Sequence, residues 1–262
     1  MLQVQALVKH FDGIHAVDGV SFQVSGGECV ALIGPNGAGK STCFACIAGQ
    51  YPVTGGHVMW NSKVLDGLAP RVRLQHGVAR TFQVAQVFEA LTVLQNVQLA
   101  ALANRGFLAI SAFRKLDPPL RGQDRERAHA LLEQTGLQPV AQHDVLSLPY
   151  GAKKRLELAI ALAASPQLLL LDEPAAGLAE QERASLMQLV KSLARQGMAV
   201  LYTEHSMDAV AGVADRVLVL IEGKLAAQGS FDEISGNSTV RSRYLGQAHR
   251  ESAGSTEGAG HA

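Results

Sequence analysis

The chain is short of the features that mark several protein classes. Lysine plus arginine and aspartate plus glutamate both number 23, so there is no net charge of either sign. The basic field that draws proteins to nucleic acid is missing, and no nucleic-acid partner is expected. No apolar run approaches the roughly 20 residues that a membrane-spanning helix needs, and Met1-Leu2-Gln3-Val4 lacks the layout of a signal peptide. The expectation is a cytosolic chain, or one held at a membrane through a partner. Three cysteines, Cys29, Cys43 and Cys46, are too few for a disulfide framework. Cys43-x-x-Cys46 has the spacing of a redox or zinc half-site but no second pair, and is expected on the buried face of a helix. The nine histidines fall at no metal-ligand spacing.

What is present is apolar content, 47% of 262 residues, enough for one large α/β core with a modest insertion. Alternation in Leu2-Val4-Ala6-Val8 and Val20-Phe22-Val24 predicts two strands, and Cys29 to Ile33 a third. Directly after it stands Gly34-Pro35-Asn36-Gly37-Ala38-Gly39-Lys40-Ser41, the complete phosphate-cradling pattern G-x-x-x-x-G-K-[ST], followed by a helix from Ser41 to Ala48 that Gly49 closes. Glycines there let successive N–H groups turn toward one anion, and the helix start adds partial positive charge. Lys40 would reach the β- and γ-phosphates of a nucleoside triphosphate, Ser41 would ligate Mg²⁺, and Thr42 would touch the α-phosphate.

From about Thr81 the pattern turns helical. Thr92-x-x-Gln95 has capping-box spacing, Leu91, Leu94, Val97 and Leu102 recur at helical intervals, and a second helix runs from about Arg125 to Thr135, stopping at Gly136. A polar, proline-containing stretch at 114–119 separates them. Strand character returns at Leu168-Leu169-Leu170-Leu171, a run of the doubly buried parallel-sheet kind that ends on two carboxylates, Asp172 and Glu173. Adjacent acids at the end of a buried strand are costly without a role. Asp172 suits a metal held through water, and Glu173 suits polarising an attacking water. A helix lined by Leu186, Leu189, Val190 and Leu193, a strand from Ala199 to Tyr202, and a hairpin from Arg216 to Ala227 complete a βαβ series. The tail 251–262 carries no apolar pattern and reads as disordered.

Four further features fall in order around these segments, Gln83 in Ala79-Arg80-Thr81-Phe82-Gln83, Leu148-Pro149-Tyr150-Gly151-Ala152 ahead of a helix, Pro174-Ala175-Ala176-Gly177-Leu178, and His205 after a strand, and Phe11 stands in His10-Phe11-Asp12-Gly13 near the start. Together with the phosphate loop and the acidic strand end, they make residues 2–246 resemble the ATP-binding subunits of ABC transporters. Gly77 to Gln83, Leu91 to Val97, the helical insertion and the ending at 243–246 resemble the subgroup that imports branched-chain and related amino acids. The resemblance implies an α/β P-loop NTPase (RecA-like) core with an N-terminal antiparallel β-subdomain and an inserted α-helical subdomain. It implies one domain over 1–250, with the nucleotide-binding core in 1–83 and 166–230, the helical part in 84–165 and a C-terminal segment in 231–250.

The resemblance further implies that Phe11 stacks on adenine and that Gln83 contacts Mg²⁺ or the lytic water. His205 would hold that water beside Glu173. Gly151 would offer its N–H to ATP held by an opposing ATPase subunit, so that each nucleotide lies between two chains. The expected partners are that second ATPase, two integral membrane permease subunits and a periplasmic solute-binding protein. The expected place is the cytoplasmic face of a bacterial inner membrane, with the isolated chain soluble. Pro149, Tyr150 and Ala152 depart from the family's usual Ser, Gly and Gln, and Ala179 departs from its Asp. Pro149 lacks the hydroxyl that would reach the opposing ATP.

Overall fold

The computed structural model describes residues 1–81, 85–104, 122–205 and 210–240. Gln83, the stretch 114–119, the segment 243–246 and the tail 251–262 lie outside the described residues.

Strands β1 (Leu2–Phe11) and β2 (Ile14–Val24) pair antiparallel across the two-residue turn Asp12-Gly13, both in the left-handed region at φ 43° and 87°. The expected inward set is half right. Leu2 and Val4 are buried, but Ala6 is exposed and Leu7 takes the next inward place. The ladder breaks between Val4 and Leu7, where Ala6 adopts φ 44° and its N–H donates to Ser21 Oγ at 2.8 Å. Such a bulge adds one residue to one strand and exchanges the faces beyond it. Strands β4 (Gly55–Trp60) and β5 (Lys63–Val64), which the sequence reading did not separate, complete a four-stranded antiparallel sheet in the order β2-β1-β4-β5.

The second sheet has six strands in the order β10-β9-β3-β8-β7-β6. These are β3 (Cys29–Ile33), β6 (Val78–Arg80), β7 (Leu168–Asp172), β8 (Ala199–Thr203), β9 (Arg216–Ile221) and β10 (Lys224–Gly229). All pairs from β9 to β6 are parallel, and β10 returns antiparallel as the second arm of a hairpin. Every residue of β3, β7 and β8 is buried, because both faces of the sheet are covered. Alternate side chains enter different cores. Val30, Leu32, Leu168, Leu170 and Leu201 join the antiparallel sheet and α1 (Lys40–Ala48). Ala31, Ile33, Leu169, Leu171 and Val200 join the helices of the opposite face.

Helix α1 buries Cys43, Phe44, Cys46 and Ile47, as the spacing required, and ends on Gly49 at φ 82°. Burial pushes the Cys29 thiol up to about 12 and the Cys46 thiol to about 11, with Cys43 higher still. The carbonyls of the last turn of α1 are satisfied by a residue the sequence did not flag. Arg73, 2% exposed on α2 (Pro70–Gln75), donates from Nη1 to Cys46 O and Ile47 O at 2.8 and 2.6 Å.

Helices α3 (Val93–Asn104), α4 (Gly122–Gln134) and α5 (Tyr150–Ala163) lie in sequence between β6 and β7, and α3 packs on both of the others. The capping box before α3 forms: Gln95 N–H donates to Thr92 Oγ1 at 3.2 Å, and Thr92 N–H to Gln95 Oε1 at 2.9 Å. Helix α4 begins at Gly122, earlier than the sequence placed it, and Gly136 follows its end at φ 73°. Helix α6 (Glu180–Arg195) turns Leu186, Met187, Val190, Leu193 and Ala194 inward. Helix α7 (Phe231–Gly236) opens with a complete capping box between Ser230 and Glu233.

Candidate active site at the strand ends

The register of the parallel sheet decides which side chains meet. Leu32 of β3 stands beside Thr203 of β8, and Asp172 of β7 stands on the other side of Thr203. The phosphate loop that leaves β3 therefore rises level with the acidic end of β7. Ligand sites of open α/β sheets lie at such carboxyl ends.

Backbone crowds this loop. A Cβ on Gly34 would lie 2.1 Å from Leu220 O, and one on Gly39 would lie 2.2 Å from Ala16 O. Both residues also have positive φ, 151° and 95°, so two separate constraints demand glycine there. Gly37 (φ 77°) and Asn36 are exposed at the tip, Pro35 is half-buried, Ala38 is buried, and Ala38 O accepts from Gly223 N–H at 3.0 Å. Helix α1 starts on Gly39 with no side-chain cap and no acidic residue in its first turn. Its leading N–H groups thus face outward as donors, the arrangement that receives an anion. Lys40, 5% exposed, folds back over the loop and donates to Gly34 O at 2.7 Å and Pro35 O at 3.0 Å. Burial lowers its ammonium pKa, and Glu173 and Asp172 pull it back up. Ser41 is exposed beside it and Thr42 is half-buried.

Across the loop, Thr203 joins both carboxylate residues through one hydroxyl. Its Oγ1 donates to Asp172 Oδ1 at 2.8 Å and accepts from Glu173 N–H at 2.9 Å. The other oxygen of Asp172 pairs with Arg80 Nη2 at 2.7 Å. Glu173 sits at φ 46°, a conformation that costs a non-glycine residue on the order of 1 kcal/mol or more and that clusters at functional sites. Its Oε1 lies 2.5 Å from His205 Nε2, so the structure brings together the acid and the histidine that the sequence singled out far apart. Lys154 of α5, 4% exposed, adds a cation that belongs to no sequence motif. Burial depresses its pKa, and Glu157, Asp172, Glu173 and Glu204 raise it again, which places it within electrostatic reach of the site. The signal for Thr203 was a hydroxyl at the end of an otherwise apolar strand. Arg80 and Lys154 gave no such signal.

The remaining predicted residues stand at the margins. Phe11 is 37% exposed at the end of β1, in edge-to-face contact with Tyr51 at 5.3 Å, with Lys9 Nζ 4.6 Å from its ring centre. It is an open aromatic face rather than core packing. Gly151 is buried in the first turn of α5, where the nearest atoms to an added Cβ belong to Glu182 of α6, Oε1 at 2.7 Å. The N-cap of α5 is Pro149, with no side-chain cap. Gln83 lies outside the described residues. Among the described residues, no group of three or more His, Cys, Asp or Glu could hold a metal, and no helix is long and apolar enough to cross a membrane.

The chain is similar along almost its whole length to curated proteins. It is 38% identical over 255 residues to the high-affinity branched-chain amino acid transport ATP-binding protein LivG of Salmonella typhimurium, covering 95% of this chain and 98% of that one. It is 34% identical over 246 residues to the lipopolysaccharide export system ATP-binding protein LptB of Acidithiobacillus ferridurans, covering 94% and 97%. Among solved structures, the ADP conformation of MJ1267, an ATP-binding cassette of an ABC transporter, superposes with a TM-score of 0.84 at 30% identity, covering 94% of this chain and 98% of that one. Residues 17–176, which run from within β2 to just past Glu173, match the family profile described as ABC transporter. On that match, which holds the phosphate loop and the acidic strand end, and on the near full-length likeness to these proteins, the chain belongs to the ABC transporter family as an ATP-hydrolysing subunit.

Proposed function

We propose that this ATPase energises an importer of branched-chain or related hydrophobic amino acids. The observation that carries the reading is the 38% identity to LivG along nearly all of both chains, against 34% to the lipopolysaccharide export protein. The solute does not touch this chain, so its class is inferred from kinship and not from the site.

In this reading Lys40 and the N–H groups of Gly37, Ala38, Gly39, Lys40, Ser41 and Thr42 hold the phosphates, and the open ring of Phe11 supports the adenine. Glu173 takes a proton from water as that water's oxygen bonds to the γ-phosphorus. The bond from that phosphorus to the bridging oxygen breaks, and ADP departs. His205 holds the Glu173 carboxylate in place, as its 2.5 Å contact supports. Ser41 and Asp172 offer hard oxygen donors that fit Mg²⁺, with Gln83 as a further ligand. Bound there, the ion would neutralise charge on the phosphate oxygens.

The uncapped start of helix α5 at Pro149 and Gly151 is assigned to ATP held by a second ATPase subunit. Two membrane permease subunits and a periplasmic binding protein complete the assembly, which places the chain at the cytoplasmic face of the inner membrane. Residues 1–83 and 166–230 form the nucleotide-binding core in this division, 84–165 the helical part and 231–250 a C-terminal segment.

Uptake in a deletion strain tests the import reading. Loss of labelled leucine, isoleucine and valine uptake is expected, restored by the native chain and not by Lys40→Ala. Intact uptake of all three, with loss of urea, amide or aromatic-acid uptake or with a lipid-export defect, would replace it.

A further inference from the structure

Arg80 contacts Asp172 although 92 residues separate them in sequence. It is the last residue of β6 and stands beside Leu170 in the parallel register, two residues short of Asp172 on the same face of the sheet. That face packs α1, and the Arg80 guanidinium lies 5.2 Å from the centre of the Phe44 ring, one turn beyond Lys40. Its three nitrogens are divided. Nη2 donates to Asp172 Oδ2 at 2.7 Å, Nη1 donates to Gln50 Oε1 just past α1, and Nε donates to Thr81 O at 3.3 Å. The pair is nearly dry, with side chains 14% and 11% exposed, and a pair so desolvated is poor evidence of a stabilising role. What it fixes is direction. With Thr203 on Oδ1 and Arg80 on Oδ2, the Asp172 carboxylate cannot rotate, yet each oxygen keeps one acceptor site.

We propose that Arg80 is a positioning residue for the metal-holding carboxylate: its guanidinium, braced on Phe44 and Gln50, sets the angle at which Asp172 meets Mg²⁺. The inference rests on the assignment of Asp172 to the metal. Lysine could supply the charge but not the three-way fork.

The test is titration of the full chain with a fluorescent ATP analogue in EDTA and at graded Mg²⁺, with melting temperature and ATPase rate measured alongside. Binding in EDTA should be unchanged in Arg80→Gln, because Lys40 and the loop supply it. The Mg²⁺ concentration that half-saturates the metal-dependent gain in affinity should rise about 10-fold to 100-fold, the range for groups that orient a metal ligand. Arg80→Lys should fall between, and Gln50→Ala, at an exposed position one step further from Asp172, should raise it in the same direction by less than either. High Mg²⁺ should restore turnover in Arg80→Gln and not in Asp172→Asn. A lower melting temperature with native Mg²⁺ half-saturation in Arg80→Gln would overturn the proposal. If that variant fails to fold, native half-saturation in both Arg80→Lys and Gln50→Ala overturns it. Asp172→Asn separates the two ideas: if it too keeps the native Mg²⁺ response, the metal assignment itself fails.

Discussion

Helices α1 and α5 begin alike and are furnished differently. Neither has a side-chain cap or an acidic residue in its first turn, so both present bare N–H groups. Around the start of α1 stand Lys40, Asp172, Glu173, Thr203 and, through Glu173, His205. Around the start of α5 stand Pro149, which has no hydroxyl to offer, and the Glu182 carboxylate against Gly151. The cause is topological. Helix α1 issues from the central strand of a parallel sheet, whose register delivers the ends of β7 and β8 to the same level, whereas α5 belongs to the inserted helices and follows no strand. One helix start therefore comes with its reagents, whereas at the other the bare N–H groups stand beside the Glu182 carboxylate, with the buried Lys154 one turn further on.

The largest effect should come from removing a reagent. Glu173→Gln should lower ATP turnover by about 10²-fold to 10⁴-fold while leaving nucleotide binding intact, because the amide cannot take a proton while Lys40 still holds the phosphates. Lys40→Ala should weaken binding itself. Steady-state rates with a nucleotide titration separate the two, and a near-native rate for Glu173→Gln would break the contrast between the helices. A smaller effect is expected at α5. If the partner ATPase carries a complete signature, the ATP on this chain's loop should turn over faster than the ATP facing Pro149. A lost hydrogen bond to a charged phosphate, about 1.5 to 3 kcal/mol, corresponds to roughly tenfold or more. Blocking Glu173 and its counterpart in turn within the assembled transporter measures this, and equal residual rates would erase the asymmetry.

The smallest effect belongs to the opposite end of β3, where no chemistry sits. Burial pushes the Asp215 carboxyl up, but Lys191 Nζ at 2.5 Å and the Cys29 N–H at 2.9 Å outweigh it and hold the group below its ordinary value of 3.8. As pH falls the unfolded chain takes up this proton first, so the contribution to stability is present above about pH 4 and is lost below it as pH falls through the lowered value. Lys191→Met should reduce stability near neutrality and flatten that acid limb, with no change in ATP binding, as urea unfolding at several pH values would record.

Much of this was legible because it is local. The phosphate loop, the run Leu168 to Asp172 and the capping box at Thr92 are each defined by neighbours in sequence, and the structure repeats them. The bulge at Ala6 was not legible, since the alternation looks regular and only the ladder shows where a residue is added. Nor were Arg80 and Lys154, and Thr203 offered only a hydroxyl at the end of an apolar strand. Their meaning depends on which strand or helix lies alongside, and a register between segments distant in sequence leaves no period.

The three buried thiols make this chain its own clock. Alkylation proceeds through thiolate, and with Cys29 near 12, Cys46 near 11 and all three side chains without solvent exposure, almost none is available while the chain is closed. Modification then counts openings. Cys43 and Cys46 lie on α1 directly behind the phosphate loop, and Cys29 lies at the far end of β3. Native-state labelling can thus distinguish a loosening confined to the nucleotide end from one that reaches through the sheet, and a single cysteine added at the surface could be tagged with little background.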